Sequence, residues 1–506
     1  MKNLNLSLNL KNKLFLWMTV FGMILNCLCI TIPAHAEEDS DSGEELETYT
    51  EGIFTYAYID GGVMLYSCDT GTLAVNLPDE TNGQRILEIA DGAFYDCNNL
   101  EYVQMGKYIR SIGESAFQNC TSLKAIEISD SVERIDRYAF ANCPSLTEVK
   151  LPANLTDISE GLFYNCIGLQ SVVFPENLKN IGSSAFYSCN LFDYEQLPEG
   201  LETIGDYAFA FCYAVSNAEL PSTLTGLGSA AYYGCVNIQE FTVPAQLENL
   251  GTLAFLGCVN LAEYFVEEGN PTYTVRDGVL YKDNMETLYA YPCGKPDTAF
   301  TIPDGVVTVY DAAFFSAPNL ETITFPASLK YIGAGAFEYC TALKEVTLPE
   351  GLEILYENAF ADCTALTSVT LPETLRGVGD YVFYACDALK EITIPKNCRT
   401  IGDYAFGYTD GEETDENGVA LPVKIAGFKK HASINLLSVI LIIAGIVVLI
   451  LVIIILVKLI RKNQMTPEEH EALEESEIKA EDQQYRKILE DLNLPENSEN
   501  HENYGD

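Results

Sequence analysis

Histidine is almost missing from this sequence. The 506 residues hold four, His35, His431, His470 and His501, and none lies between 36 and 430. That absence excludes Ser–His and Cys–His nucleophile pairs and His-ligated zinc from the long central region. Carboxylate pairs of the glycosidase kind survive this filter, since Asp and Glu number 73, but no pair is singled out by position. Tryptophan is confined to Trp17. Positive charge is scarce as well: 29 Lys and Arg against the 73 acids give −44. With −8 in 458–506 and +3 in 1–36, the segment 37–457 carries −39, a surface that repels nucleic acid and anionic lipid. The acidic stretch DGEETDENG at 410–418 misses the ligand spacing of a calcium loop. Kinase, nucleotide and phosphate motifs are lacking. The expectation is a protein without catalytic residues, cofactor, metal or nucleic-acid partner.

Long apolar runs are few, and they stand near the two ends. A basic start, MKNLNLSLNLKNK, leads into LFLWMTVFGMILNCLCITIP and then AHA. This is the pattern of a secretory signal peptide, residues 1–36, cut after Ala36. Ile434 to Val457 is free of charge for 24 residues, enough for a helix to cross a bilayer core of ~30 Å. The basic residues flanking that span balance, so the signal peptide sets the orientation: N-terminal region outside, residues 458–506 inside. LPVKI at 421–425 lacks the Thr-Gly of a sortase motif. The sequence thus divides into the signal peptide, an acidic linker at 37–51, an ectodomain at 52–428, a transmembrane helix at 434–457 and an acidic cytoplasmic tail at 458–506. The tail opens with the helix start Thr466-Pro467-Glu468-Glu469.

What the sequence has in abundance is repetition. IGDYAF occurs at 204–209 and again at 401–406, with variants IGESAF, IDRYAF, IGSSAF and IGAGAF between and around them. The closing aromatic falls every 23 residues from Phe94 through Phe117, Phe140, Phe163, Phe186, Phe209 and Tyr232 to Phe255. It resumes at Phe314 and runs through Phe337, Phe360 and Phe383 to Phe406. The gap of 59 between Phe255 and Phe314 is one repeat plus 36 residues. A period of 20–29 residues with ordered Leu and Ile positions marks a leucine-rich repeat. Each unit reads F-x-x-C-x-x-L-x-x-V/I-x-L-P-x-x-L-x-x-I-G-x-x-A. The V/I-x-L pair alternates with period two and predicts a short strand with both apolar residues inward. Proline then ends the strand, and the glycine after Ile (Gly113, Gly182, Gly205 and their equivalents) predicts a tight turn where φ can be positive. One unit cannot bury enough apolar surface to order its own backbone, so the units must stack, and parallel strands joined by crossovers should coil right-handed.

These blocks resemble the BspA-type leucine-rich repeats of bacterial and some protist surface proteins. The likeness covers roughly 52–428, with an N-terminal cap at 52–90, a hairpin insertion at about 267–300 and a C-terminal cap at about 407–428. NPTYTVRDGVLYKDNMETLYAYPCGK at 270–295 is similar to that family's hairpin. Leu162, where Ala usually precedes the aromatic, and Glu195, where a core aliphatic is expected, depart from the pattern. The resemblance implies a right-handed solenoid with parallel strands on the concave side and short or helical turns opposite. It implies a binding scaffold and not a reaction.

Eleven of the 16 cysteines share one slot of the repeat, from Cys97 to Cys258 and again at Cys340, Cys363 and Cys386. Constant spacing reads as a ladder of small buried thiols, not as a disulfide framework. Cys68, Cys293 and Cys398 fall outside the column. Asn119 and Asn154 open glycosylation sequons. The residues flanking the inward strand positions face out, and after the insertion they become regular: Thr322, Thr324, Glu345, Thr347, Ser368, Thr370, Glu391 and Thr393. This polar strip is the candidate ligand face, for an extracellular protein or glycan, although Thr also suits a merely solvated strand. No aromatic column accompanies it. The expected protein is a single-pass, membrane-anchored surface protein, bacterial in character, that adheres to or recognises extracellular macromolecules. The alternative is a receptor that signals through its tail.

Overall fold

The computed structural model describes residues 46–69, 71–406 and 423–424. The expected signal peptide, transmembrane helix and cytoplasmic tail, and most of the C-terminal cap, lie outside the described residues. Among those described, no helix is long and apolar enough to cross a membrane. Two compact units emerge: residues up to Asp297 together with Gly305–Asn319, and Thr298–Asp304 together with residues from Leu320 onward.

Most 23-residue repeats make two short strands that pair in parallel with the same segments of a neighbouring repeat; the repeats at 194–197 and 217–220 keep only the second. The strand expected from V/I-x-L is present: Tyr102–Gln104 pairs with Ala125–Glu127, and Glu148–Lys150 with Ser171–Val173, each residue with the one 23 further on. Its central residues Val103 and Val149 are buried and their neighbours Gln104 and Lys150 exposed. The proline that follows accepts a hydrogen bond from the leucine three residues later, as in Leu155 N–H to Pro152 O at 3.1 Å. The second ladder, at x-I, is a correction. Where the sequence suggests only a turn, Ser111–Ile112, Arg134–Ile135, Asn180–Ile181 and Thr203–Ile204 are two-residue strands in 23-residue register. Helical turns are likewise absent among the described residues; the remainder of each repeat is turn.

The glycine after Ile does not adopt positive φ. It is small because the preceding rung's backbone lies against it. A Cβ on Gly205 would sit 2.5 Å from the Ser183 nitrogen, and one on Gly228 would sit 2.4 Å from that of Asp206. Left-handed backbone occurs instead at two other places in each repeat, two residues before the column aromatic and two after it. Ser115 (φ 55°) and Asn119 (φ 64°) bracket Phe117; Tyr207 (φ 55°) and Phe211 (φ 62°) bracket Phe209. The reason is hydrogen-bond accounting. Ser115, Phe117 and Asn119 donate their N–H groups to the carbonyls of Arg137, Ala139 and Ala141 in the next rung, at 2.7–3.0 Å. The alternate residues Ala116, Gln118 and Cys120 donate back within their own turn. A left-handed residue on each side of the aromatic swings every second amide along the stack.

The core is a set of columns. Phe94, Phe117, Phe140, Phe163, Phe186, Phe209, Tyr232 and Phe255 stack ring on ring at 4.7–5.8 Å. Phe337, Phe360, Phe383 and Phe406 do the same in the second unit. Beside them run the cysteines, all buried. The thiol slot has a polar reason as well as a steric one. Cys120 Sγ donates to Phe94 O at 3.1 Å, Cys143 to Phe117 O at 3.2 Å, and the pattern recurs to Cys386 and Phe360 O at 3.2 Å. The thiol thus reaches the carbonyl of the preceding rung's aromatic, a bond that alanine could not make.

The insertion hides a rung. Tyr291 lies 36 residues after Phe255 and 23 before Phe314, stacks on Phe314 at 4.7 Å, and donates its N–H to Ala313 O at 2.7 Å. It is a tooth of the column that the sequence reading passed over. Cys293 lies two residues after Tyr291, one short of the ladder slot, and donates to Cys258 O at 2.8 Å in place of an aromatic's carbonyl. The excess chain forms the antiparallel hairpin Tyr273–Arg276 and Val279–Lys282, turned by Asp277 and Gly278 with φ of 54° and 73°, the pair that a two-residue hairpin turn favours. At Glu195 the expected core position shifts by one. Tyr194, expected to face outward, is buried and its hydroxyl meets that of Tyr232 at 2.8 Å. Tyr232 is the one tyrosine among the aromatics from Phe94 to Phe255, and this contact is its reason.

At the N-terminus, Thr48–Glu51 and Phe54–Ile59 form an antiparallel meander with Gly62–Cys68, which then pairs in parallel with Gln84–Ile89 and begins the x-I ladder. The cap therefore includes Thr48–Glu51, which the sequence reading places in the acidic linker. In the second unit, Val423–Lys424 pairs antiparallel with Glu391–Ile392. That covers a sheet edge that would otherwise offer unpaired backbone groups.

Candidate functional site

Six of the eight residues of the expected ligand face lie together on one sheet of the second unit. Ala299–Thr301, Thr322–Thr324, Glu345–Thr347 and Ser368–Thr370 are parallel neighbours. The register sets Thr301 beside Thr324, Thr322 beside Glu345, Glu345 beside Ser368, and Thr347 beside Thr370. All six side chains, from Thr322 to Thr370, are exposed. The strands are fixed from behind by Ile323, Val346 and Leu348, each at least nine-tenths buried. Glu391 and Thr393 are exposed too, but Glu391 belongs to the pairing with Val423–Lys424 and Thr393 follows the strand's last residue. Along one side, Lys344 pairs with Glu321 at 2.5 Å, and Lys390 Nζ donates to Asp387 O at 2.9 Å.

The face offers hydroxyl donors and carboxylate acceptors on a flat, rigid grid with a spacing of ~4.8 Å between strands. Among the described residues no cluster of three His, Cys, Asp or Glu is placed to hold a metal. Such a grid suits recognition by many weak polar contacts.

One surface feature of the first unit was not foreseen. Half-buried rings form a ribbon along its turns: Tyr138 to Tyr164 at 6.3 Å, Tyr164 to Tyr187 at 4.9 Å, Tyr187 to Phe211 at 5.4 Å, and Phe211 to Tyr233 at 4.8 Å. Tyr138 lies over Gly161, where a Cβ would meet its ring at 2.1 Å. Its hydroxyl donates to Glu160 at 2.9 Å, and burial together with that carboxylate pushes its pKa up to about 12. The signal was available, since Tyr164, Tyr187 and Tyr233 share the slot after the column aromatic. Asn119, opening one sequon, has its amide committed: Nδ2 donates to Asp96 at 2.8 Å, and Oδ1 accepts from Asn142 at 2.9 Å.

The 23-residue register, the aromatic column and the paired strands all agree with one family model, the BspA type leucine rich repeat region, which matches residues 87–195, 192–295 and 289–412. The chain belongs to the BspA-type leucine-rich repeat family. Among solved structures, a leucine-rich cell surface protein of Faecalibacterium prausnitzii A2-165 is 26% identical, with 75% of this chain and 98% of that one covered and a TM-score of 0.53. A leucine-rich repeat protein of Bacteroides ovatus ATCC 8483 is 23% identical over 70% of this chain and 99% of that one, with a TM-score of 0.44. The pneumococcal vaccine antigen PcpA is 21% identical over 71% and 78%, with a TM-score of 0.36. No curated protein matches the sequence. The BspA-type family is one of surface proteins with a binding or recognition role, and its repeat solenoid is typically a non-enzymatic scaffold.

Proposed function

We propose that this protein is a single-pass bacterial surface protein that adheres to extracellular macromolecules, protein or glycan, through the exposed sheet face of its second unit. The observation that carries the proposal is the in-register grid Thr322, Thr324, Glu345, Thr347, Ser368 and Thr370, exposed in front and locked behind. The export pattern at 1–36 and the uncharged run at 434–457 support an anchored topology with the repeats outside. The relative from Faecalibacterium prausnitzii, described as a cell surface protein, supports the same location.

The test uses cells that display the full chain. Protease added to intact cells should release repeat peptides and spare residues 458–506, and the same cells should bind saturably to one or more members of a panel of extracellular-matrix proteins and glycans. Repeats protected from protease, or displayed protein that binds nothing on the panel above control cells, would contradict the proposal.

A further inference from the structure

In the first unit, one cleft is lined by more basic than acidic residues, three against two. Between residues 46 and 406 there are 17 Lys and Arg, and three of them, Arg85, Lys107 and Arg110, line one cleft of about 220 Å³. The repeat builds it. Arg85, Tyr108, Ser131 and Asn154 follow one another at 23-residue steps, and so do Leu87, Arg110 and Glu133 beside them. Backbone bonds hold the rungs together there: Arg110 N–H to Leu87 O at 2.7 Å and Glu133 N–H to Arg110 O at 2.8 Å. The floor is pre-set. Lys107 is paired with Asp79, and the Arg85 guanidinium lies 4.5 Å above the Tyr108 ring. Arg85 and Arg110 form no ion pair among the described residues, and both are exposed. In a chain with so many carboxylates, two arginines that line one cleft without an ion pair are an anion-binding feature.

The rest of the lining narrows the ligand. Asp130 and Glu133 also face the cleft, so a bare anion would meet repulsion. A molecule with one carboxylate and several hydroxyls would not, because its hydroxyls can donate to those acids. The side-chain amide of Asn154 adds a donor and an acceptor. The Tyr108 ring is already covered by Arg85 and Lys107, which leaves Leu87 as the one aliphatic side chain in the lining, too little apolar surface to anchor a peptide. An extended polyanion would be driven off by the surrounding negative surface. We propose that this cleft binds a single carboxylated sugar, free or as the terminal residue of an acidic glycan. The site is separate from the sheet face of the second unit and does not depend on its role.

The test is calorimetry and saturation-transfer NMR on the full-length protein in detergent, with D-glucuronate, D-glucose and inorganic sulfate as probes. Glucuronate should bind saturably and at least tenfold more tightly than glucose or sulfate. Arg110→Gln and Arg85→Gln should each weaken it at least fivefold with the thermal transition unchanged. Lys124→Gln, which alters an exposed Glu101 pair at 2.7 Å away from the cleft, should leave it alone. Glucose binding as tightly as glucuronate would overturn the proposal. So would sulfate doing so, which would mark an adventitious anion site only. Absence of glucuronate binding, or full binding by both arginine variants, would overturn it equally.

Discussion

Replacing Gly228 by alanine, with Gly226 as its control, separates close packing from turn conformation as the reason for the glycine column. The new Cβ at 228 would lie 2.4 Å from the Asp206 nitrogen and 2.4 Å from the Gly205 carbonyl carbon, both backbone atoms of the adjacent rung. Comfortable contact needs about 3.5 Å or more, so the two rungs must part by roughly 1 Å. The bond from Gly228 N–H to Ile204 O, now 2.8 Å, would stretch past the useful range. Overpacking against an unyielding neighbour costs about 1–3 kcal/mol, and a weakened buried backbone bond adds about 1 kcal/mol. The expected loss is therefore about 2–4 kcal/mol. At Gly226 the nearest atom to a new Cβ is Thr203 Cγ2 at 3.7 Å, and φ is not positive. Alanine there should be neutral or stabilising by up to ~1 kcal/mol. Repeat arrays need not unfold in one step, so the readout should be local. Alkylation of the flanking buried thiols Cys212 and Cys235, measured by mass spectrometry under native conditions, reports opening of those rungs. Gly228→Ala should speed it roughly 30- to 1,000-fold, and Gly226→Ala should not. Equal labelling of the two variants would refute the close-approach account.

Two further perturbations follow from the described contacts. Burial raises the column thiols Cys143, Cys189, Cys212, Cys258 and Cys363 well above their ordinary range and pushes Cys386 up to about 12, whereas Cys398 is partly exposed. Iodoacetamide at pH 8 should modify Cys398 first and the column only after unfolding; column labelling in the folded state, or linked peptides joining column cysteines, would contradict this. Burial, and then the neighbouring Asp362, push the Glu338 carboxyl up to about 7. A raised carboxyl pKa favours the protonated folded state, so its stabilising effect is full below the unfolded value near 4.5 and is lost as pH rises through about 7. Asp362 itself is raised by burial and Asp387. Glu338→Gln should flatten the fall in stability between about pH 5 and 7 around Cys340 and Cys363; an unchanged pH profile would show that the carboxyl is solvated.

Much of this architecture is legible from spacing alone. The column of aromatics fixes the period, and V/I-x-L predicts the outward strip, because both depend on large side chains recurring in register. Features that depend on backbone are less visible. A two-residue strand such as Ser111–Ile112 has no alternation to detect. The left-handed positions carry Ser115, Tyr138, Tyr207 and Phe211 as readily as Gly161, since the next rung's carbonyls enforce the conformation whatever the residue. The glycine column looked like a turn signal because its real constraint, a neighbour 23 residues earlier, is not local. Even so, Asp136 and Ser159 occupy the same slot, and Ser159 uses its hydroxyl on the Ile135 carbonyl. Tyr291 is hard to see in the sequence because it ends YAY and not an AF pair. Tyr194 was misplaced because a one-residue shift exchanges inside and outside. The anion cleft is spread over residues from 85 to 154, and only stacking brings them together.

The claim that the sheet face of the second unit does the binding is tested most directly by replacing Thr347 and Thr370 together with lysine and measuring affinity for whatever extracellular ligand the displayed protein captures. Both side chains are exposed and neighbours in register, and exposed substitutions cost about 0.5 kcal/mol or less each, so the thermal transition should stay in place. The account predicts that binding falls at least tenfold while the fold is kept. Undiminished binding by the double variant, with its transition unchanged, would contradict it.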